Sequence, residues 1–147
     1  MRILLDTNIL IYRESNQKLT ENLQRLLNLV AKYSVNILIH PLAETEIRRD
    51  DDVERRAITL SKIKAYPALP SPPDPETDMA FRNVIRRKAS PNELVDDNLI
   101  YCVVRNAVDF LITNDLGIKA KAQRLAIAER VFDIDEALEF LQREYRP

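Results

Sequence analysis

Residues that bind soft metals or form covalent crosslinks are almost absent from this chain. Cys102 is its only cysteine and His40 its only histidine. An intrachain disulfide and a cysteine metal cluster are therefore excluded, as are zinc sites with several histidine ligands and chemistry that needs two imidazoles. There is also no tryptophan and a single glycine. If the protein is an enzyme, we expect it to work with carboxylates.

Long apolar runs and an excess of charge are lacking as well. No stretch is long enough to cross a bilayer, and Asp6 and Asn8 interrupt the first apolar run, which is unlike a signal peptide. We therefore expect a cytoplasmic protein with no membrane partner. Lys and Arg total 22 against 23 Asp and Glu, a formal net charge of -1. Any contact with nucleic acid must use a local basic patch.

What the chain does contain is an alternation of short buried strands and helices. Its 147 residues, 46% hydrophobic and 31% charged, suit a single domain over 1–147 with a full core. Apolar runs predict strands at 3–5, 35–40, 110–113 and about 131–132, and helical spacing of apolar residues predicts helices between them. The alternation predicts a parallel sheet covered on both faces, a three-layer α/β/α fold.

Two local patterns refine this outline. Five prolines lie between 66 and 77, so the connection 67–75 is expected to be stiff, with a short edge strand at Ala68 and Leu69. Ser90, Pro91 and Glu93 have the pattern of an N-cap, a first helical residue and a capping-box partner. The helix that follows is apolar almost all round, which predicts that it is buried.

Acidic residues follow three of the predicted strands. Asp6 comes directly after the first strand, Glu44 and Glu46 one turn after the second, and Asp115 directly after the third. Because the carboxyl ends of parallel strands lie along one edge of a sheet, these carboxylates should converge there. The buried helix adds Asp97 if it begins at the same edge. Each acid alone is better explained as a cap or a surface charge, but four at one edge favour a site.

A cluster of ionised carboxylates needs a neutralising partner, because like charges and desolvation both disfavour the charged form. Oxygen ligands favour Mg²⁺ or Mn²⁺ over zinc. Such ions can activate water and stabilise charge on a phosphodiester during in-line attack. The chemistry that fits is metal-dependent phosphodiester hydrolysis. The chain has no P-loop, GxGxxG motif or Ser/His/Asp arrangement, which disfavours nucleotide kinases, dehydrogenases and serine hydrolases.

Four short motifs together resemble the PIN domain. They are LLDTNILI at Leu4–Ile11, PLAE at Pro41–Glu44, DNLI at Asp97–Ile100 and LITND at Leu111–Asp115, and their order and spacing match over nearly the whole chain. The resemblance implies a five-stranded parallel sheet in the order 3-2-1-4-5, with four acids and Mg²⁺ or Mn²⁺ at its C-terminal edge. It also implies an endoribonuclease that hydrolyses RNA. The best-known small members are toxins of VapBC-type toxin–antitoxin pairs, so an antitoxin protein and a homodimer are implied partners.

The resemblance carries catalytic and metal-binding roles over to Asp6, Glu44, Asp97 and Asp115. Asp6 and Asp97 would hold the principal metal, while Glu44 and Asp115 complete the cage or bind through water. Asn8 and Thr113 would orient these carboxylates. Lys119 and Lys121 closely follow Asp115 and are the candidates for phosphate contacts.

Two of these assignments have direct competitors. Glu46 competes with Glu44, which is favoured only by the family pattern of Ala before Glu, matched by Ala43. Asp96 competes with Asp97, which is favoured by its spacing from Ile100. Helical phase does not decide between Asp96 and Asp97. Some family members have a further acid where this chain has Leu116 and Gly117, so a fifth acidic ligand is not expected.

Three alternatives to a nuclease toxin remain. The chain could be a PIN module for RNA processing, or the N-terminal domain of a longer protein, which the proline-rich insertion and the ending Arg146–Pro147 favour mildly. It could also be a catalytically inactive binding module, although the full set of four acids argues against this. A phosphorelay receiver is disfavoured, because Asp6 stands alone after the first strand and Asp97 lies on a helix.

Overall fold

The computed structural model describes residues 1–10, 17–85 and 91–146. Within them, four parallel strands form one sheet in the order β2-β1-β3-β4. The strands are β1 (Arg2–Leu5), β2 (Asn36–Leu38), β3 (Phe110–Ile112) and β4 (Val131–Phe132). The α-helices are α1 (Gln17–Lys32), α2 (Leu42–Arg48), α3 (Val53–Ile63), α4 (Met79–Ile85), α5 (Pro91–Val104), α6 (Leu116–Arg124) and α7 (Ile134–Glu144). The α/β class is confirmed, but the predicted count of five strands is wrong.

In place of the expected fifth strand there is a single isolated β-bridge. Ala68 pairs in parallel with Ile39, next to β2. Ile39 N donates to the carbonyl of Pro67 at 3.0 Å, and Leu69 N donates to the carbonyl of Ile39 at 2.8 Å. This is where the order 3-2-1-4-5 places its third strand. Pro67 and Pro70 flank the bridge, and because they lack an amide hydrogen the pairing does not extend into a ladder.

Each face of the sheet is covered by its own apolar core, as a three-layer fold requires. Successive side chains of a strand point to opposite faces, so Ile3 and Leu5 belong to one core and Leu4 to the other. The first core contains side chains of α1 and α7, among them Leu26 and Leu141. The second core contains side chains of α4, α5 and α6, among them Phe81, Ile85, Ile100, Val103, Ile118 and Ala122.

The helix boundaries agree well with the sequence patterns. α5 begins at Pro91 and is buried as predicted, whereas the proposed N-cap, Ser90, lies outside the described residues. The last helix has its capping box: Glu136 N donates to Asp133 Oδ1 at 2.8 Å, and Asp133 N donates to Glu136 Oε1 at 3.1 Å. None of the helices in the described ranges is both long and apolar enough to traverse a membrane.

Candidate functional site

Asp6 stands at the end of β1 and is held on both carboxylate oxygens. It caps a short 3-10 helix, Thr7–Ile9, and is only 1% exposed. The Thr113 hydroxyl donates to Asp6 Oδ2 at 2.7 Å, and Asn8 N donates to Oδ1 at 3.3 Å. The expected orienting role of Thr113 thus has a direct contact. Asn8 contributes its backbone amide, while its side chain is exposed.

Asp115 follows β3 and caps α6. Its Oδ1 accepts hydrogen bonds from Gly117 N at 2.7 Å and Ile118 N at 3.1 Å. A Cβ added at Gly117 would lie 3.0 Å from Asp115 Oδ1, so the only glycine of the chain stands where the capping carboxylate approaches the backbone most closely. Asp115 N donates to Thr113 Oγ1 at 3.0 Å. One threonine hydroxyl therefore connects Asp6 with Asp115.

On α2, the structure brings Glu46 rather than Glu44 to these aspartates. Glu44 is exposed and pairs with Arg48 on the same helix at 2.6 Å. Glu46 is partly buried; burial, together with the negative charges of Asp6 and Asp115, raises its pKa to about 7 against the opposing charge of Arg49. Two residues apart on an α-helix means about 200° apart around its axis, so only one of the two can face the sheet edge.

On α5, the structure brings Asp96 rather than Asp97 to the same edge. Burial, together with the negative charges of Asp115, Asp6 and Glu46, raises the pKa of Asp96 to about 7 against the opposing charge of Lys121. Asp97 is fully buried and accepts a hydrogen bond from Lys121 Nζ at 2.9 Å. The family-based choices, Glu44 and Asp97, thus contact Arg48 and Lys121, whereas Glu46 and Asp96 are the acids of these helices that interact with Asp6 and Asp115.

We call the assembled group the acidic edge: Asp6, Glu46, Asp96 and Asp115. Its members come from the end of β1, from α2, from α5 and from the N-cap of α6. Burial also raises the pKa of Asp6, and the charge of Asp115 adds to this, whereas the hydrogen bonds from Thr113 and Asn8 oppose it. The shared direction of these shifts is what desolvation and mutual repulsion of nearby carboxylates produce.

The donor chemistry of the acidic edge fits Mg²⁺ or Mn²⁺, since every candidate ligand is a carboxylate oxygen. Each oxygen of Asp6 accepts one hydrogen bond from the described residues, and a carboxylate oxygen has a second lone pair for a cation. Among the described residues, however, no group of three or more His, Cys, Asp or Glu side chains is already arranged to hold a metal ion. Ligation would therefore require side chains of the acidic edge to rotate inward.

The structure engages both candidate phosphate-binding lysines with acids. Lys121 is 5% exposed and its ammonium contacts Glu93 as well as Asp97. Lys119 contacts Glu136 and lies 3.4 Å from Asp133 Oδ2, at the start of α7. Neither ammonium is presented as an open contact for phosphate.

His40 lies two residues after β2 and is a buried polar residue. It is 3% exposed, and its Nδ1 accepts a hydrogen bond from Leu42 N at 3.0 Å. Its Nε2 is buried and has no hydrogen-bond partner among the described residues. Burial lowers the pKa of His40 to about 4. The ring is therefore neutral at physiological pH, with the proton on Nε2.

Comparison of the chain with protein-family models, curated proteins and solved structures finds no match in any of the three. The resemblance to the PIN domain consequently depends on the four motifs alone. The assignment of function has to be argued from the acidic edge.

Proposed function

We propose that the protein is a metal-dependent endoribonuclease that hydrolyses RNA phosphodiester bonds at the acidic edge, with Mg²⁺ or Mn²⁺ as its cofactor. The observation that carries the proposal is the convergence of four carboxylates, from four different elements, at the C-terminal edge of a parallel sheet. Ligand sites of open α/β sheets lie at this edge. Perturbed acids in such a position are candidates for a functional site.

A purely structural role explains only half of the acidic edge. Asp6 and Asp115 cap helical turns, and a cap needs no neighbouring acid. Glu46 and Asp96 cap nothing, and the fold holds them partly buried near other negative charges, at a cost in stability. A bound divalent cation would offset that cost. This argues for a site rather than a set of independent surface charges.

The chain's own residues divide into a fixed and an adjustable pair. Asp6 and Asp115 are held in place by Thr113 and by backbone amides, so they are suited to define where a cation sits. No hydrogen bond from the described residues contributes to the pKa of Glu46 or Asp96, so these two side chains can turn toward a cation. A cation bound there would supply positive charge to stabilise the negative charge that develops on a phosphodiester.

Three parts of the proposal rest on the resemblance to the PIN domain: RNA as the substrate, a toxin role with an antitoxin partner, and a homodimer. The formal net charge of -1 gives no general attraction to RNA, so binding would depend on local basic residues. An antitoxin would act by covering the acidic edge. These parts are tested separately from the chemistry.

The experiment is cleavage of a mixed panel of RNAs by the purified chain with Mg²⁺ or Mn²⁺, with and without EDTA. Asp6→Asn should reduce the cleavage rate about 100-fold or more, as expected for loss of a ligand that positions the metal. One matched pair and one further variant then locate the site. Glu46→Gln should reduce the cleavage rate far more than Glu44→Gln, and Asp96→Asn should also reduce the cleavage rate, without loss of folding.

Each result has a defined meaning. Greater loss in Glu44→Gln than in Glu46→Gln would show that the motif-based assignment is right and that the acidic edge, as defined here, is not the site. Cleavage of DNA but not RNA would retain the chemistry and reject the substrate. Wild type that cleaves neither and binds no Mn²⁺ would reject the proposed function.

A further inference from the structure

A buried ion cluster joins the two helices that carry half of the acidic edge. Lys121 on α6 donates to Asp97 Oδ1 at 2.9 Å and also contacts the carboxylate of Glu93, both on α5. The exposed fraction of the lysine is 5% and that of Asp97 is zero. Interactions shielded from water to this degree are not weakened by solvent as surface ion pairs are.

The cluster shares both of its helices with the acidic edge. Asp97 is the immediate neighbour of Asp96 on α5, and Lys121 lies on the same helix that Asp115 caps. Of the three acids on α5, Asp96 thus belongs to the acidic edge, whereas Glu93 and Asp97 contact α6. A change in the contact of Lys121 with α5 would move Asp96 relative to Asp115.

Apolar packing between α5 and α6 is less specific than this polar contact. Val95 and Leu99 of α5 and Ile118 and Ala122 of α6 belong to the same core. Apolar contacts stabilise the pair of helices but tolerate small shifts, whereas an ammonium between two carboxylates has a narrow range of good geometry. The ion cluster is therefore the feature best suited to fix the register of the two helices.

We propose that Lys121 is a positioning residue: by binding Glu93 and Asp97 it holds α5 against α6, so that Asp96 and Asp115 can share one divalent cation. The inference rests on the proposed function. It assigns Lys121 a role in cation binding at the acidic edge without contact with the cation, and it replaces the phosphate contact that its position in the sequence suggested.

A simple charge effect predicts the opposite result, which makes the inference decidable. Removing the positive charge of Lys121 makes the surroundings of the acidic edge more negative, and by charge alone this strengthens cation binding. Loss of positioning weakens it. The sign of the change in Mn²⁺ affinity separates the two accounts.

The test is titration of the purified full chain with Mn²⁺, followed by electron paramagnetic resonance at fixed ionic strength. Lys121→Met should weaken Mn²⁺ binding about tenfold or more, the range typical of groups that orient metal ligands. The matched control is Lys119→Met, two residues away on α6, which loses contacts to α7 instead of α5. It should change the affinity less than twofold.

Unchanged or tighter Mn²⁺ binding by a folded Lys121→Met variant overturns the inference while leaving the proposed function intact. Absence of Mn²⁺ binding by wild type overturns both. If Lys121→Met does not fold, Lys121→Arg decides, because it keeps the charge but changes the shape of the donor. Weaker binding by this variant supports positioning, and unaltered binding overturns it.

Discussion

The hydroxyl of Thr113 donates a 2.7 Å hydrogen bond to Asp6 Oδ2, and its oxygen accepts the amide hydrogen of Asp115 at 3.0 Å. Thr113 is fully buried at the end of β3. It therefore joins the residue that follows β1 to the residue that begins α6. Any shift of one aspartate relative to the other would break one of these two hydrogen bonds.

Thr113→Val should lower the free energy of unfolding by about 2 kcal/mol at pH 7, because it removes a hydrogen bond to a buried carboxylate and leaves the Asp115 amide without its acceptor. Urea denaturation measures the loss. Thr113→Ser retains the hydroxyl and should lose clearly less. Equal losses in the two variants would mean that the methyl group of Thr113, not its hydroxyl, is what matters.

Glu46→Gln should stabilise the metal-free protein at high pH but not at low pH. The pKa of Glu46 is about 7 in the folded protein against an ordinary value of 4.5, so the folded state holds its proton more tightly. Stability from this group is complete below pH 4.5 and is lost as the pH rises through 7. Because Glu46 is partly exposed, we expect a gain of about 1 kcal/mol at pH 8.

Urea denaturation in EDTA at pH 4.5 and pH 8 tests this prediction. Glu44→Gln is the control, since that side chain is exposed and already solvated. If Glu46→Gln raises the free energy of unfolding equally at both pH values, burial of the Glu46 charge is not the cause of the stabilisation.

His40 should make the protein less stable in acid. Its pKa is about 4 in the folded state against an ordinary value of 6.5, so the unfolded chain binds a proton first as the pH falls. Its contribution to stability is complete above pH 6.5 and is lost as the pH falls through 4. The free energy of unfolding of His40→Asn, relative to that of wild type, should therefore rise by about 2 kcal/mol as the pH falls from 7 to 4. Parallel stability curves for the two proteins would refute this.

Gly117→Ala should not stabilise α6, although alanine favours helices by about 1 kcal/mol over glycine. The new Cβ would lie 3.0 Å from Asp115 Oδ1 and displace the capping carboxylate. In an Asp115→Ala background the clash is gone, and the same substitution should then be stabilising. Thermal unfolding of the four proteins in this double-mutant cycle gives the coupling between the two positions.

Lys121→Met should cost about 3 kcal/mol of stability, because it removes a buried ammonium that contacts both Asp97 and Glu93. Lys119→Met should cost about 1 kcal/mol or less, since the ion pairs it removes are more exposed. Chemical denaturation of both variants at pH 7 compares them. Similar costs would show that burial of Lys121 adds nothing to its ion pairs.

The fold could be predicted from sequence because its determinants are local. Apolar runs and helical spacing located all four strands, and the Asp133 and Glu136 pattern located the start of α7. The count of five strands was wrong because the resemblance supplied a regular edge strand where Pro67 and Pro70 allow one bridge. Asp6 and Asp115 could be located because each directly follows a strand end.

The motifs could not decide which of Glu44 and Glu46, or which of Asp96 and Asp97, faces the sheet edge. Which acid faces the sheet edge depends on the rotation of α2 and α5 about their own axes, and that is set by tertiary packing. The buried residues of α2, Ala43 and Ile47, lie between Glu44 and Glu46 around the helix axis, so they do not distinguish the two acids. For Asp97 the deciding partner, Lys121, is 24 residues away in the chain.

The single bridge between Ile39 and Ala68 has a consequence for self-association. It occupies the outer side of the sheet beyond β2, while at the opposite side β4 is only two residues long. Neither margin offers an incoming strand more than a few unpaired backbone groups, which is how natural sheets avoid growing by strand addition. At both margins of the sheet formed by the described residues, pairing with a strand of a second copy is therefore disfavoured.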